Sequence, residues 1–336
     1  MSKELVAYGT SDWHLHYWEH YNKDGERTKA SLEVVRNMFK RASHGNTPIL
    51  FFGDLFHTPE GLKSPTINAV YPELISIFNA YPNVQFYAIS GNHDQYTKNY
   101  IHSRSISYTA GLANTIKNFH LMDFQGTMLT DDVAIYGIPY LYLNTNYTQA
   151  LAMATEYFNK VKAKKTILMI HTTIEGSVDT NGYSVTETAL LMRELKERFT
   201  LVLSGHIHKH QRMAKGVYHV GSAVHVKVSD EGYEPVIIKI LDPRHKKTLH
   251  VSTKKIEGAK VFKTFTSEEG KDNDPNIMWV YKSDKEEQVE KANKGVDISD
   301  YEGLMKKFLK SLGVKSPKRI NKAMIILKEV NDDKTS

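Results

Sequence analysis

Five short stretches place histidine, aspartate or asparagine directly after a segment with the pattern of a β-strand. They are Asp12-Trp13-His14, Gly53-Asp54-Leu55-Phe56-His57, Gly91-Asn92-His93-Asp94, His171 closing Ile167-Leu168-Met169-Ile170, and Gly205-His206-Ile207-His208. Taken singly, each has a plain explanation. Asp-X-His arises by chance, Gly-Asn-His-Asp suits a turn, and a lone His171 is most simply a hydrogen-bonded core histidine. Gly-His-X-His is more telling, because alternate residues of an extended segment point the same way. Together, in this order and all at strand ends, they offer Asp12, His14, Asp54, Asn92, His171, His206 and His208: two carboxylates, one amide oxygen and four imidazoles. Such a mixed nitrogen and oxygen set suits Mn²⁺, Fe²⁺ or Zn²⁺ rather than Mg²⁺ or Ca²⁺ alone. Seven ligands exceed what one ion takes from protein and fit two ions sharing a bridging carboxylate. Two ions about 3.5–4 Å apart clamp a phosphorus centre for in-line attack.

The surrounding chain must bring these strand ends together. Short apolar segments at 5–9, 49–53, 84–90, 133–138, 166–171 and 201–204 predict strands. Helical spacing predicts helices over 27–42, 65–80, 147–161 and 186–198. Such alternation means α/β layers with a largely parallel sheet, in which ligands bind at the carboxyl ends of strands. Beyond residue 216 the pattern turns β-rich, with strands expected at 217–221, 236–241 and 248–253. Residues 267–275 read as a polar linker and 277–281 as a short apolar run. Two charged amphipathic helices follow, one carrying Leu304, Phe308 and Leu312, the other Ile320, Met324 and Leu327. The expected organisation is a core over 1–258, a linker or reduced cap over 259–283, and a helical region over 284–336.

The 336 residues carry a net charge of +6, a modest bias toward polyanionic partners, and no cysteine, which excludes disulfides and thiolate metal sites. No secretory leader and no apolar run of membrane-spanning length is visible, so the expected location is the cytoplasm.

The ordered set of motifs resembles the calcineurin-like metallophosphoesterase family. The resemblance implies a sandwich of two mixed β-sheets flanked by helices. It implies that Asp12, His14, Asp54 and His208 hold one metal, and that Asp54, Asn92, His171 and His206 hold the other, with Asp54 bridging. His93 would act beside the scissile phosphate as proton donor or transition-state stabiliser, oriented through a ring nitrogen by Asp94.

Most phosphatases of this family carry Gly-Asp-X-X-Asp in the second motif, whereas here it is Gly53-Asp54-Leu55-Phe56-His57. This form resembles the SbcD-type recombination nucleases, the meiotic-recombination-eleven branch, and the compact length is most like the version encoded by tailed phages, which would place it in the host cytoplasm. That resemblance implies His57 as a second active-site histidine near the substrate phosphate, manganese as the preferred metal with Mg²⁺ weaker, and DNA as substrate: exonuclease action on duplex ends, endonuclease action on single strands or hairpins. It implies an ABC-type coiled-coil ATPase partner of the SbcC kind, bound through the C-terminal helices, and a homodimer through helices at 65–80 and 97–112. Lys209 and Arg212 follow the metal histidines and are candidate DNA contacts; the lysines at 160–165 and the basic residues at 244–247 and 254–255 read as solvated surface. Two other functions remain open at this point: a different metallophosphoesterase, and a non-catalytic scaffold on the same fold.

Overall fold

The computed structural model describes residues 3–57, 62–95, 107–142, 144–185, 190–256, 258–265 and 274–281. In chain order the strands begin with β1 (Glu4–Thr10), β2 (Ile49–Phe51), β3 (Phe86–Ala88) and β4 (Phe119–Leu121). Next come β5 (Gln125–Met128), β6 (Val133–Ile138), β7 (Lys165–His171), β8 (Leu201–Gly205), β9 (Gln211–Ala214) and β10 (Val217–His219). The last are β11 (Val236–Asp242), β12 (His250–Lys255), β13 (Val261–Phe265) and β14 (Ile277–Tyr281). Among the described residues five α-helices accompany them: α1 (Glu26–Ser43), α2 (Ser64–Ala80), α3 (Tyr108–Thr115), α4 (Asn144–Val161) and α5 (Met192–Lys196).

The strands form two six-stranded mixed sheets, in the orders β12-β11-β1-β2-β3-β4 and β5-β6-β7-β8-β10-β9. Strands β1 to β4 run parallel, with β11 antiparallel to β1. In the second sheet β6, β7, β8 and β10 are parallel, and β5 and β9 pair antiparallel at its edges. Side-chain alternation explains the layering. In the second sheet, Ile135, Ile167, Met169, Leu201 and Leu203 join Val6, Leu50, Phe52, Ile238 and Ile240 of the first in one buried cluster between the sheets. The alternate residues Ala134, Tyr136, Leu168, Ile170 and Val202 turn outward onto Ala150, Leu151, Ala154 and Phe158 of α4. Likewise Phe51, Phe86 and Phe119 pack under Leu32, Val35 and Phe39 of α1 and Val70, Leu74 and Phe78 of α2. A strand buried on both faces needs apolar residues at consecutive positions, which is why these strands read as unbroken apolar runs. Each fully buried side chain of this size contributes roughly 1.5–3 kcal/mol.

Four strands differ from the sequence reading. Strand β4 is three residues long and β5 is a half-exposed edge strand, while β9 is also polar and β13 falls in the stretch read as linker. Edge pairing is supplied by the neighbour's backbone, so little apolar patterning is required of such strands. The helix expected over 186–198 is represented by α5 alone, and residues 186–189 lie outside the described residues.

Strands β13 and β14 pair with each other, and the first compact unit takes in residues 1–264 and 271–280. The second unit, residues 265–270 and 281–336, is described at Phe265 and Tyr281, whose rings meet edge-on at 5.5 Å. The C-terminal helices expected from sequence, with Leu304, Phe308, Leu312, Ile320, Met324 and Leu327, lie outside the described residues, as do residues 97–106 of the expected dimer helix. Among the described residues no helix is long and apolar enough to cross a membrane.

Candidate metal centre

The five motifs leave the strands at one end of the sandwich and lace together through their backbones. Asp12 N–H donates to Gly53 O, His14 N–H to Asp54 O, and Leu15 N–H to Leu55 O, each at 2.8–3.0 Å. Trp13 and Leu15, both 1% exposed, anchor the first loop between the ligand positions, and Trp13 Nε1–H donates to Thr10 Oγ1 at 2.9 Å. Asp12, His14, Asp54 and His206 all adopt the left-handed backbone region, with φ of 52°, 43°, 59° and 78°. For residues with a Cβ this costs roughly 1–2 kcal/mol apiece, held by the hydrogen bonds and packing around it. Two glycines make room: a Cβ at Gly53 would collide with His171 Nδ1, and one at Gly91 with Asp54 Oδ1. Gly53 also has φ +93°, a conformation suited to glycine.

All seven expected ligands converge. Oδ2 of Asp54 lies 3.6 Å from His14 Nε2 and 3.4 Å from His171 Nε2, so one carboxylate oxygen stands between two ligand groups. On one side His14 Nε2 is 3.2 Å from His208 Nε2, with Asp12 completing the group. On the other, Asn92 Oδ1 is 3.2 Å from His171 Nε2 and 3.1 Å from His206 Nδ1. These groups fit a pair of cations. Asp12 Oδ1 accepts the His206 N–H at 3.2 Å, while Asp12 Oδ2 is buried with no hydrogen-bond partner among the described residues. His208 Nδ1 faces the Asp230 carboxylate at 3.2 and 3.3 Å, and His171 Nδ1 donates to Phe52 O at 2.6 Å. Both arrangements put the proton on Nδ1 and leave the Nε2 lone pair for a metal.

The electrostatics follow from burial and crowding. Burial pushes the Asp54 carboxyl up, but His171, His14 and His93 together hold it well below the usual carboxylate range. Burial prevails at Asp12, which is raised. For His171 burial is outweighed by Asp54 and then Asp12, raising the imidazole to about 9; a cation there takes the place of that proton. Burial, then His171, pushes His206 down to about 3.

His93 and His57 also lie in the cluster. The His93 ring meets His14 edge-on at 4.8 Å and stacks on His57 at 5.4 Å, and its Nδ1 hydrogen-bonds to the His57 backbone carbonyl. Nδ1 of His57 is 3.3 Å from Nδ1 of His14. Burial first, then His93 and His16, depress His57 to about 3.

Asp94 requires a correction. It does not orient His93 through a ring nitrogen. Its carboxylate is fully buried and accepts backbone N–H groups of Asp54 at 2.8 Å, Gly91 at 2.9 Å and Phe56 at 3.1 Å. Asp94 therefore clamps the second motif onto the third. Those three donors need an acceptor in a place water does not reach, and a carboxylate satisfies them all.

Lys209 is half-buried next to His208, and Arg212 is exposed on β9, where its charge acts on His250 in β12 together with burial and Lys3. Of the lysines at 160–165, Lys165 is buried in an ion pair with Asp242 and Lys164 pairs with Asp132 at 2.7 Å. On α2, Val70, Leu74 and Phe78 are core and Ile67 is 42% exposed. Sequence reading missed Asp230. It sits in a one-turn helix after β10, where Val226 and Lys227 N–H groups donate to it, and no spacing rule ties it to His208. It also missed Tyr140, whose ring lies 5.5 Å from that of His206.

The family model described as calcineurin-like phosphoesterase matches residues 7–210. A search of curated proteins finds no match. Solved structures that the chain matches include TT1561 of Thermus thermophilus, 15% identical with a TM-score of 0.40, over 74% of this chain and 98% of that one. Another is a putative 5'-nucleotidase from Staphylococcus aureus in complex with alpha-ketoglutarate, 14% identical with a TM-score of 0.44, over 76% of this chain and 54% of that one.

Proposed function

The chain belongs to the calcineurin-like phosphoesterase family, and from that premise we propose that it is a two-metal phosphodiesterase whose substrate is DNA. The observation that carries the two-metal reading is the placement of Asp54 Oδ2 between His14 Nε2 and His171 Nε2. Asp12, His14, Asp54 and His208 would hold one divalent ion, and Asp54, Asn92, His171 and His206 the other. Such ions acidify an attacking water and neutralise charge on the phosphoryl group. The donor set suits Mn²⁺, Fe²⁺ or Zn²⁺, and the resemblance of the second motif favours Mn²⁺ among them.

The chain's own groups do the rest. His93 has its Nδ1–H committed to the His57 carbonyl, which leaves Nε2 to meet the substrate phosphate or the departing oxygen. Asp94 fixes the backbone that carries Asp54 and His93. His171 and His208 are held in one tautomer by Phe52 O and Asp230.

What supports DNA over a phosphomonoester is the second motif, which ends in His57 rather than aspartate, and the presence of that imidazole among the ligands. The excess positive charge is in keeping with a polyanion. On the same resemblance we assign the chain a coiled-coil ABC-type ATPase partner at the C-terminal helices and self-association into a homodimer. The test is turnover of linear duplex and single-stranded DNA with Mn²⁺, beside a phosphomonoester control. DNA cleavage supports the reading; hydrolysis of the monoester alone sinks it. Capture of a coiled-coil ATPase by the full chain from its native cell tests the partner.

A further inference from the structure

Two ligand imidazoles in this centre have their second nitrogen committed to an acceptor. For His171 it is Phe52 O, and for His208 the Asp230 carboxylate. His14 has a different kind of partner, the Nδ1 of His57 at 3.3 Å. Its Nε2 faces the centre, 3.2 Å from His208 Nε2 and 3.6 Å from Asp54 Oδ2. A metal ligand needs a lone pair on that nitrogen, so neutral His14 carries its proton on Nδ1 and donates it. The acceptor is then the Nδ1 lone pair of His57, whose own proton lies on Nε2.

We infer that His57 is a positioning residue for the metal ligand His14: its side chain accepts the His14 Nδ1–H, while its backbone carbonyl orients His93. One residue thereby sets the direction of two histidines through two different groups. The His57 ring is held for the task. Trp18 packs against it at 4.5 Å, and the Arg27 guanidinium lies 3.7 Å from the centroid of the Trp18 ring. Arg27 is itself buried and donates to Val226 O at 2.6 Å, in the loop that also donates to Asp230. The supports of His14 and His208 are thus built from one neighbourhood. This task differs from the substrate contact that the motif resemblance implies for His57, because the nitrogen facing the cluster is committed to His14. The inference rests on the two-metal reading of the site and not on the identity of the substrate.

The test is Mn²⁺ titration of the full chain by calorimetry, comparing wild type, H57L and H57N. Asparagine places Oδ1 near the position of the histidine Nδ1 and can accept the same proton, and neither substitution removes the backbone carbonyl. The expected result is that H57L weakens one of two Mn²⁺ sites by about 10–100-fold and leaves the other, the range found when the hydrogen-bond partner of a metal ligand is lost. H57N should recover most of that loss. If H57L binds both ions like wild type and loses only DNA cleavage, His57 acts on substrate and the inference is overturned. A wild type that binds no Mn²⁺ overturns the metal reading and the inference with it. Should H57L fail to fold, histidine-¹⁵N-labelled wild type loaded with Zn²⁺ decides. A nitrogen–nitrogen coupling across the His14–His57 hydrogen bond, with the proton on His14 Nδ1, supports the inference, and a proton on His57 Nδ1 refutes it.

Discussion

The Nδ1–H of His93 is donated to the backbone carbonyl of His57 and not to the carboxylate of its sequence neighbour Asp94. Asp94 instead gathers the N–H groups of Asp54, Gly91 and Phe56. Two adjacent residues thus divide the work: one turns its ring toward His14 and His57, and the other builds the loop beneath it.

This division predicts different failures. His93→Ala should keep both Mn²⁺ ions and its melting temperature while losing most turnover, roughly 10²–10⁴-fold for a lost acid–base group. Asp94→Asn should do the reverse first. An amide NH₂ must then face at least one buried N–H, which should cost about 1–3 kcal/mol of stability, and metal affinity should fall with it. Thermal unfolding beside steady-state kinetics checks both, and an Asp94→Asn protein of unchanged stability but lost turnover would return Asp94 to the role of orienting His93.

Asp54→Ala removes the one oxygen that lies between both ligand groups. Both ions should be lost together, read as loss of both transitions in a Mn²⁺ titration. Loss of a single site would mean that Asp54 does not bridge.

Asp230→Asn leaves a group of similar size beside His208 but removes its charge. At present the paired His208 is raised, because the hydrogen bond and charge of Asp230 outweigh burial, and Asp230 is lowered, the His208 bond outweighing its own burial. The expected outcome is a loss of about tenfold or more in affinity at the site shared by His14 and His208, with the other site unchanged, again by metal titration.

His219, behind the loop that carries His206, offers a pH prediction. It is fully buried, with Nε2 2.7 Å from Ser177 Oγ and Nδ1 donating to Gly205 O at 3.3 Å. Burial pushes the imidazole down to about 4. Its folded value is depressed, so between about pH 6.5 and pH 4 the unfolded chain binds a proton that the native state does not. Stability contributed by neutral His219 is therefore present above pH 6.5 and lost as pH falls through this window, by up to roughly 3 kcal/mol. His219→Gln should flatten the urea-midpoint profile between pH 4 and 6.5 relative to wild type, and identical slopes would show that His219 titrates normally.

The candidate metal centre was readable in sequence because the residues that could hold metal are tied to strand ends. Asp12, Asp54, Asn92, His171 and His206 each stand within a few residues of an apolar run, and parallel strands deliver their ends to one edge. The strands buried on both faces were readable as well, since they need continuous apolar sequence, but that pattern suggested one largely parallel sheet, and their division between two sheets was implied only by the family resemblance. The polar edge strands β5 and β9 were not, because their partners are chosen by backbone pairing and not by side-chain pattern.

Which atoms could meet in this chain, and which chemistry they could support, was settled by residue type and order alone: seven N and O donors in five motifs. Which nitrogen of each imidazole turns inward was decided only by tertiary structure. Asp230 reaches His208 across 22 residues, Phe52 O reaches His171 across 119, and His57 reaches His14 across 43. A hydrogen bond acts over about 3 Å whatever the separation along the chain, so partners of this kind leave no periodic or local trace in the sequence. The same holds for Asp94, one residue from His93 in the chain and bonded through its side chain to the loop that holds Asp54.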